Sequence, residues 1–232
     1  MNKKVSIILS TYNEAEVIED TIKKIFETLE NVEIVLVDDN SSDGTYEIVK
    51  AINNPNLKIY SREVRGLASA FLLGLINTNG DVVGWIDSNM SFLTKRLPEM
   101  IENLSENDLV LLSRYVNGGN DQRSNLRVLS SQLINYICRF FLSSEIKDYT
   151  SGIFLMKREV LLKAVPISYG HGDFFIEFLY KALIKGVKIV ELPYTQPPDI
   201  EGNSKTASSL LRFFSLGLDY LVRILRIRFR KN

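Results

Sequence analysis

Cysteine and histidine are almost missing from these 232 residues, with Cys138 and His171 the only examples. A lone cysteine excludes an intramolecular disulfide framework and fits a reducing compartment. Cys138 lies in an apolar helical pattern, where a thiol is expected to be a buried structural residue rather than a nucleophile. His171, in YGHGDFF, stands before a helix-like run and is expected in a loop or cap rather than as a catalytic base. Long apolar runs are missing as well. No stretch of about 18 uncharged apolar residues occurs, so no membrane-spanning helix is expected. Met1-Asn2-Lys3-Lys4 leads straight into VSIIL without a small-residue cleavage site, so no secretory leader is expected. No linker, repeat or low-complexity tract divides the chain, whose length suits one large domain.

An excess of charge of one sign is also lacking: 28 Lys and Arg balance 28 Asp and Glu. The zero total hides an asymmetry. Residues 205–232 hold seven basic side chains against Asp219 alone, which leaves a mildly acidic body and a basic end. Such an end suits an anionic surface, and no nucleic-acid partner is expected. The tail SSLLRFFSLGLDYLVRILRIRFRKN is apolar nearly all round and broken by arginines. It reads either as a core helix with a basic end or as a helix lying in the plane of a membrane, and the second is preferred.

What is present is alternation. VSIILS, VEIVLVDDN, NLKIYSRE and DVVGWID are short apolar, β-branched runs separated by helical patterns such as Val17, Ile18, Ile22, Ile25, Phe26 and Leu29. Ala70 and Gly74, four apart in RGLASAFLLGLI, are small enough to let that helix lie close on a sheet. This is an α/β pattern of parallel βαβ units, in which ligands bind beyond the carboxyl ends of the strands. Three strands end in polar residues there: Ser10-Thr11-Tyr12-Asn13-Glu14, Asp38-Asp39-Asn40 and Asp87-Ser88-Asn89. The second half adds strands in NDLVLLSRYV and VKIVELPYTQ, a helix in RSNLRVLSSQLINYICRFFLSS, a strand and helix in SGIFLMKREVLLKAV, and a helix in HGDFFIEFLYKALIKG.

Candidate chemistry follows from these endings. Asp87 is read as a metal or ligand carboxylate rather than a turn cap. Arg127, Ser131, Asn135 and Arg139 recur every four residues and form one polar ridge. That ridge is either a solvated face or a row of donors for phosphate oxygens. Gly202, Ser204 and Lys205 lie in a segment able to close over bound phosphates.

Together SIILSTYNEAEVI, VEIVLVDDNSSDGT, RGLASAFLLGL, GDVVGWIDSNMS, LLSRYVNGG, RSNLRVLSSQLINYICRFFL, IKDYTSGIFLMKREVL, FFIEFLYKALIKGVKIVELP and GNSK occur in an order that resembles family 2 glycosyltransferases. Within that family the resemblance is to the dolichol-phosphate mannosyltransferase-like and polyprenyl-phosphate glycosyltransferase group. It implies a GT-A fold, a mostly parallel central sheet flanked by helices, over residues 1–206, with 207–232 as an amphipathic basic tail. It implies transfer of mannose or glucose, with inversion, from a nucleotide-sugar donor to a polyprenyl phosphate, assisted by Mg²⁺ or Mn²⁺. By motif, Ser10, Tyr12, Asn13, Glu14 and Asp39 fall on the donor's base and ribose, with Asp87, Arg114 and Lys205 also on the donor. Asp87 and Asn89 take the Asp-x-Asp position, with Ser91 close by as a metal ligand. Arg127, Ser131 and Ser204 fall on the acceptor phosphate, with Asp87, Arg127 and Ser131 central to catalysis.

The chain departs from the pattern at Asn89, where the family has a second acid, and at Ser10, Phe175 and Asp199, where it has Pro, Gln and Arg. Two other functions stay open on these residues: transfer to another acceptor in surface-polysaccharide synthesis, or a nucleotide- or lipid-binding pseudoenzyme. The expected location is cytoplasmic, peripheral on the cytoplasmic face of a membrane. The sequence leaves oligomeric state open.

Overall fold

The structure is a computed structural model that describes residues 3–170, 172–198 and 210–229, with side chains in the last segment from residue 220 onward. The chain runs β1 (Val5–Thr11), α1 (Ile18–Thr28), β2 (Val32–Asp38), α2 (Thr45–Ala51), β3 (Leu57–Ser61), α3 (Leu67–Ile76) and β4 (Val82–Ile86). It continues through α4 (Leu97–Asn103), β5 (Leu109–Ser113), β6 (Asn120–Asp121), α5 (Asn125–Phe141) and β7 (Ile153–Lys157). It closes with α6 (Asp173–Ile184), β8 (Ile189–Pro193), β9 (Thr195–Gln196) and α7 (Leu210–Phe229).

Seven strands form one sheet in the order β3-β2-β1-β4-β7-β5-β8. All run parallel except β7, which is antiparallel to both β4 and β5. The sequence expectation of parallel βαβ units holds for the first half and misses this reversal. Its cause is the path of the chain. Ile153 at the start of β7 pairs with Ile86 at the end of β4, so the chain enters β7 at the carboxyl edge of the other strands and must run back. The run after β7 is a short 3-10 helix, Arg158–Leu162, where a full helix was expected. The final expected strand is broken at Tyr194, and β9 pairs with β6 in a small parallel ribbon.

Side chains of β1 alternate between two apolar layers, Ile8 with α3 and α6 and Ile7 and Leu9 with α1 and α4. In the first layer Phe71, Trp85, Phe154, Phe174, Phe175 and Phe178 form a continuous aromatic cluster. Phe175 stacks on Phe154 with centroids 4.7 Å apart, so it is a core residue of this chain. Ala70 is buried, and a Cβ at Gly74 would stand 2.5 Å from Ile8 Cγ2, which is why α3 lies so close to β1. Cys138 is buried in the same layer, and burial pushes its thiol up to about 12, as suits a structural residue.

The second half of α7 belongs to this layer too. Ile224 is buried in it, and Arg223 donates to Asp173 at 2.8 Å and to Glu177 at 3.2 Å, both on α6. No helix among the described residues is long and apolar enough to cross a membrane.

Candidate active site

Because every strand but β7 points the same way, the polar endings of β1, β2, β4 and β5 gather at one edge, joined by residues 148–152 that lead into β7. The sheet order reverses about β1 and β4, and in α/β sheets such a switch point is where a ligand crevice lies.

On the β2 side the endings are knitted by short hydrogen bonds. Thr11 Oγ1 donates to Asp38 at 2.7 Å. Asn13 adopts the left-handed conformation, φ 55°, which asparagine tolerates. In it the Asn13 amide donates to Ser41 Oγ at 2.9 Å, and its Oδ1 accepts from the Ser42 amide at 2.9 Å. The Glu14 amide donates to Thr45 Oγ1 at 2.8 Å. Asp39 accepts from Arg62 Nε at 2.6 Å and from the Gly66 amide at 2.8 Å, so it is tied to the start of α3. The Arg65 guanidinium lies 3.5 Å from the centre of the Tyr12 ring, a cation–π contact just beyond the end of β1. Ser10 stays within β1, paired in register with Val37.

Asp87 follows β4 directly. Trp85 Nε1 donates to its Oδ1 at 2.9 Å, and Gly152 comes so close that a Cβ there would collide with Oδ2. Burial pushes this carboxyl up to about 6, and the nearby Glu14 charge adds to the rise. Asn89 is exposed two residues on. The hydroxyl of Ser91 donates to Asp20 at 2.7 Å and accepts from Lys24 at 3.2 Å, so α1 engages it. Among the described residues no three His, Cys, Asp or Glu gather as a metal cage. The donor set fits a Mg²⁺-type ion that keeps one protein carboxylate and takes its other oxygens from a ligand.

The β5 side is a buried polar network. Arg114 donates from Nε and Nη2 to both oxygens of Asp148, at 2.8 and 2.7 Å. Its side chain is 4% exposed, and Nη1 lies 3.6 Å from Asp121. Burial alone would lower the Arg114 pKa, but Asp148 outweighs it and the net shift is upward. Asp148 is correspondingly held below the usual carboxylate range despite its burial. Arg114, expected on a phosphate, is thus built chiefly into this pair.

The ridge on α5 divides. Ser131 and Asn135 turn inward to Thr150, and Asn135 is buried. Arg127 is half-buried at the first turns of the helix. Arg139 has a buried Nε with no hydrogen-bond partner among the described residues. Ser204, Lys205, His171 and Asp199 lie outside the described residues. Asp148, Thr150, Trp85 and Arg65 received no role from the sequence. Asp148 and Thr150 stand within the motif IKDYTSGIFLMKREVL, but only the reversed direction of β7 brings them to this edge of the sheet.

The family described as Glycosyl transferase family 2 matches residues 6–164. A dolichol-phosphate mannosyltransferase of Pyrococcus furiosus is 32% identical over 97% of this chain, which spans 63% of that protein's length. An undecaprenyl-phosphate mannosyltransferase of Micrococcus luteus is 27% identical over 90% of this chain and 89% of its own. Among solved structures, glucosyl-3-phosphoglycerate synthase of Mycobacterium tuberculosis, in complex with Mn²⁺, UDP and glucosyl-3-phosphoglycerate, superposes with a TM-score of 0.73 at 20% identity. That match covers 99% of this chain and 81% of that one. The family match spans most of the chain and the sheet has the GT-A arrangement: this protein belongs to glycosyl transferase family 2.

Proposed function

We propose that this glycosyltransferase moves a hexose, mannose or glucose, from a nucleoside-diphosphate sugar to a polyprenyl phosphate, with inversion, at a membrane surface. Helix α5 carries the reading. Its inner side holds Ser131 and Asn135 at the crevice, while Leu126, Leu129, Leu133, Tyr136 and Phe140 stand 56–73% exposed along its outer side. Their spacing of three and four residues makes one apolar stripe. The helix carries Arg127 and Arg139 and no acid, and it packs against α7, whose Arg226 and Arg228 are exposed. A basic, apolar face of this kind complements an anionic bilayer surface; a second copy would set like charges together. The names of the two relatives agree with a lipid-phosphate acceptor.

The reaction asks little acid–base chemistry of the protein. A lipid phosphate is already ionised near neutral pH and attacks the anomeric carbon directly. The residues at the β1 and β2 endings would hold the donor base and ribose, and Arg127 and Ser131 would align the acceptor phosphate against its own repulsion from the diphosphate. Asp87, with the Asn89 amide oxygen, would hold a divalent cation, Mg²⁺ or Mn²⁺, which when bound neutralises charge on the leaving diphosphate. The same ion types accompany UDP in structural neighbours. Ser204 and Lys205 would lie over the bound phosphates, and the protein would sit on the cytoplasmic face of the membrane.

The test is a product assay with labelled GDP-mannose and UDP-glucose in turn, with polyprenyl phosphate in liposomes and Mg²⁺ or Mn²⁺. Label in the organic phase with one donor supports the reading and names the sugar. Label that instead enters a soluble phosphoglycerate, with none in the lipid, replaces the acceptor. No transfer to either, with nucleotide still bound, leaves a binding protein.

A further inference from the structure

Thr150, just before β7, lies where three elements meet at the crevice. Its hydroxyl accepts from Arg114 Nη2 at 2.8 Å and from Asn135 Nδ2 at 2.9 Å, and donates to Asp148 Oδ1 at 3.1 Å. A hydroxyl has one proton and two lone pairs. Asp148 takes the proton, and Arg114 and Asn135 fill both lone pairs. Ser131 Oγ, 3.2 Å away, therefore touches an oxygen whose capacity is already used. Among the described residues the Ser131 hydroxyl also hydrogen-bonds the neutral Tyr115 oxygen. That phenol spends its own proton on Asp121 at 3.1 Å. An anionic ligand oxygen is a much better acceptor than a phenol, so the Ser131 proton is free to turn to a ligand.

The same contacts fix the rotation of α5. Asn135 Nδ2 also reaches the Ser131 carbonyl at 2.9 Å, and its Oδ1 accepts from the Tyr149 amide at 2.6 Å. Together with the packing of Cys138, Ile134 and Ile137 on the core, this inner polar lock sets which side chains meet the crevice. A slip of one residue would turn Ser131 by about 100° around the helix axis.

We propose that Thr150 is a positioning residue for the acceptor: oriented by Asp148 and Arg114, it locks α5 so that Ser131, with Arg127 one turn earlier, presents its donor to the acceptor phosphate. This rests on the reading of Arg127 and Ser131 as acceptor-phosphate ligands. It gives the buried Arg114–Asp148 pair a task in substrate use through Thr150.

The test uses the full chain with polyprenyl phosphate in detergent micelles, so that membrane attachment is not limiting. Thr150→Val removes the hydroxyl and keeps the shape, and Thr150→Ser restores the hydroxyl. Thr150→Val is expected to lower kcat/KM for the lipid phosphate about tenfold, with nucleotide affinity changed less than about twofold, and Thr150→Ser to recover most of the loss. On a Ser131→Ala background Thr150→Val is expected to add less than about twofold, because both act on one contact. Equal losses in donor and acceptor use, or full additivity with Ser131→Ala, would overturn the proposal. If Arg127→Ala and Ser131→Ala both leave acceptor use unchanged, the acceptor reading itself fails and this inference with it. If those two impair acceptor use and Thr150→Val does not, only the inference fails.

Discussion

The carboxyl of Asp87 accepts one hydrogen bond from the Trp85 indole and is pushed up to about 6 by burial, well above its unfolded value near 3.8. Below about pH 4 it is protonated whether the chain is folded or not, and pH has no purchase on stability through it. Between about pH 4 and 6 the unfolded chain gives up this proton first, so stability falls as pH rises, and the loss levels off above the folded value at about 3 kcal/mol. Asp87→Asn is therefore expected to raise stability to denaturant by about 3 kcal/mol at pH 7 and to leave it unchanged near pH 4, while abolishing metal-dependent transfer. A less stable Asn variant at pH 7 would show that the folded protein stabilises the charge.

Glu33 runs the other way. Burial pushes its carboxyl up, but donors from Ser6, the Asn79 amide and Lys58 outweigh it and bring it to about 2. Its contribution is complete above about pH 4.5 and is lost only as pH falls toward its folded value. Asp148→Asn breaks a buried ion pair and is expected to cost about 3–5 kcal/mol, measured by denaturant titration. At this scale the placement of Asp87, Glu14 and Asp39 at one edge of the sheet was legible because they follow apolar strands. Thr150 and Asp148 were not, since their meaning depends on Arg114 and Asn135, and on a strand direction that no local pattern encodes.

Among the elements, α5 and α7 show what periodicity resolves and what it leaves open. The four-residue ridge on α5 was plain, yet half of it faces inward, because Asn135 finds enough partners there to be buried without loss. A helix apolar nearly all round can be buried in a core or laid on a membrane, and the second half of α7 does the first: its Arg223 pairs with carboxylates far back in the chain that its own sequence cannot announce. The outer stripe of α5 supplies a direct test. Leu133→Gln with Phe140→Gln is expected to lower liposome binding at least tenfold, since each side chain buries about 1.5–3 kcal/mol of apolar surface on insertion. Fold stability should move by less than about 0.5 kcal/mol, as both side chains are exposed. Unchanged liposome binding together with a fall in oligomeric mass would assign the stripe to contacts between copies.

For the whole molecule, the alternation of strands and helices was enough to read an α/β sheet with its ligand edge, and the ordered motifs were enough to reach the family. The seam between body and tail was harder to see. Deleting residues 208–232 is expected to release the protein from liposomes and also to destabilise it, because it removes Ile224 from the core and Arg223 from Asp173 and Glu177. Arg223→Met separates the two effects: a loss of about 3 kcal/mol in stability, with liposome attachment retained while the protein is folded. A truncated chain of unchanged stability would mean that the packed half of α7 contributes little to the fold.

The reversed strand β7 has a consequence for the order in which the protein can be built. It sits between β4 and β5, so the early strands and the β5–β8 pair are joined only through it. A nascent chain that has not yet reached Ile153 holds β4 and β5 without the strand that belongs between them, each showing a row of unpaired backbone groups at what becomes the middle of the sheet. The last strand of this core to be synthesised before α6 is a keystone rather than a border. Until it arrives, the growing protein carries its stickiest surface at its centre, where a neighbouring chain can pair with it.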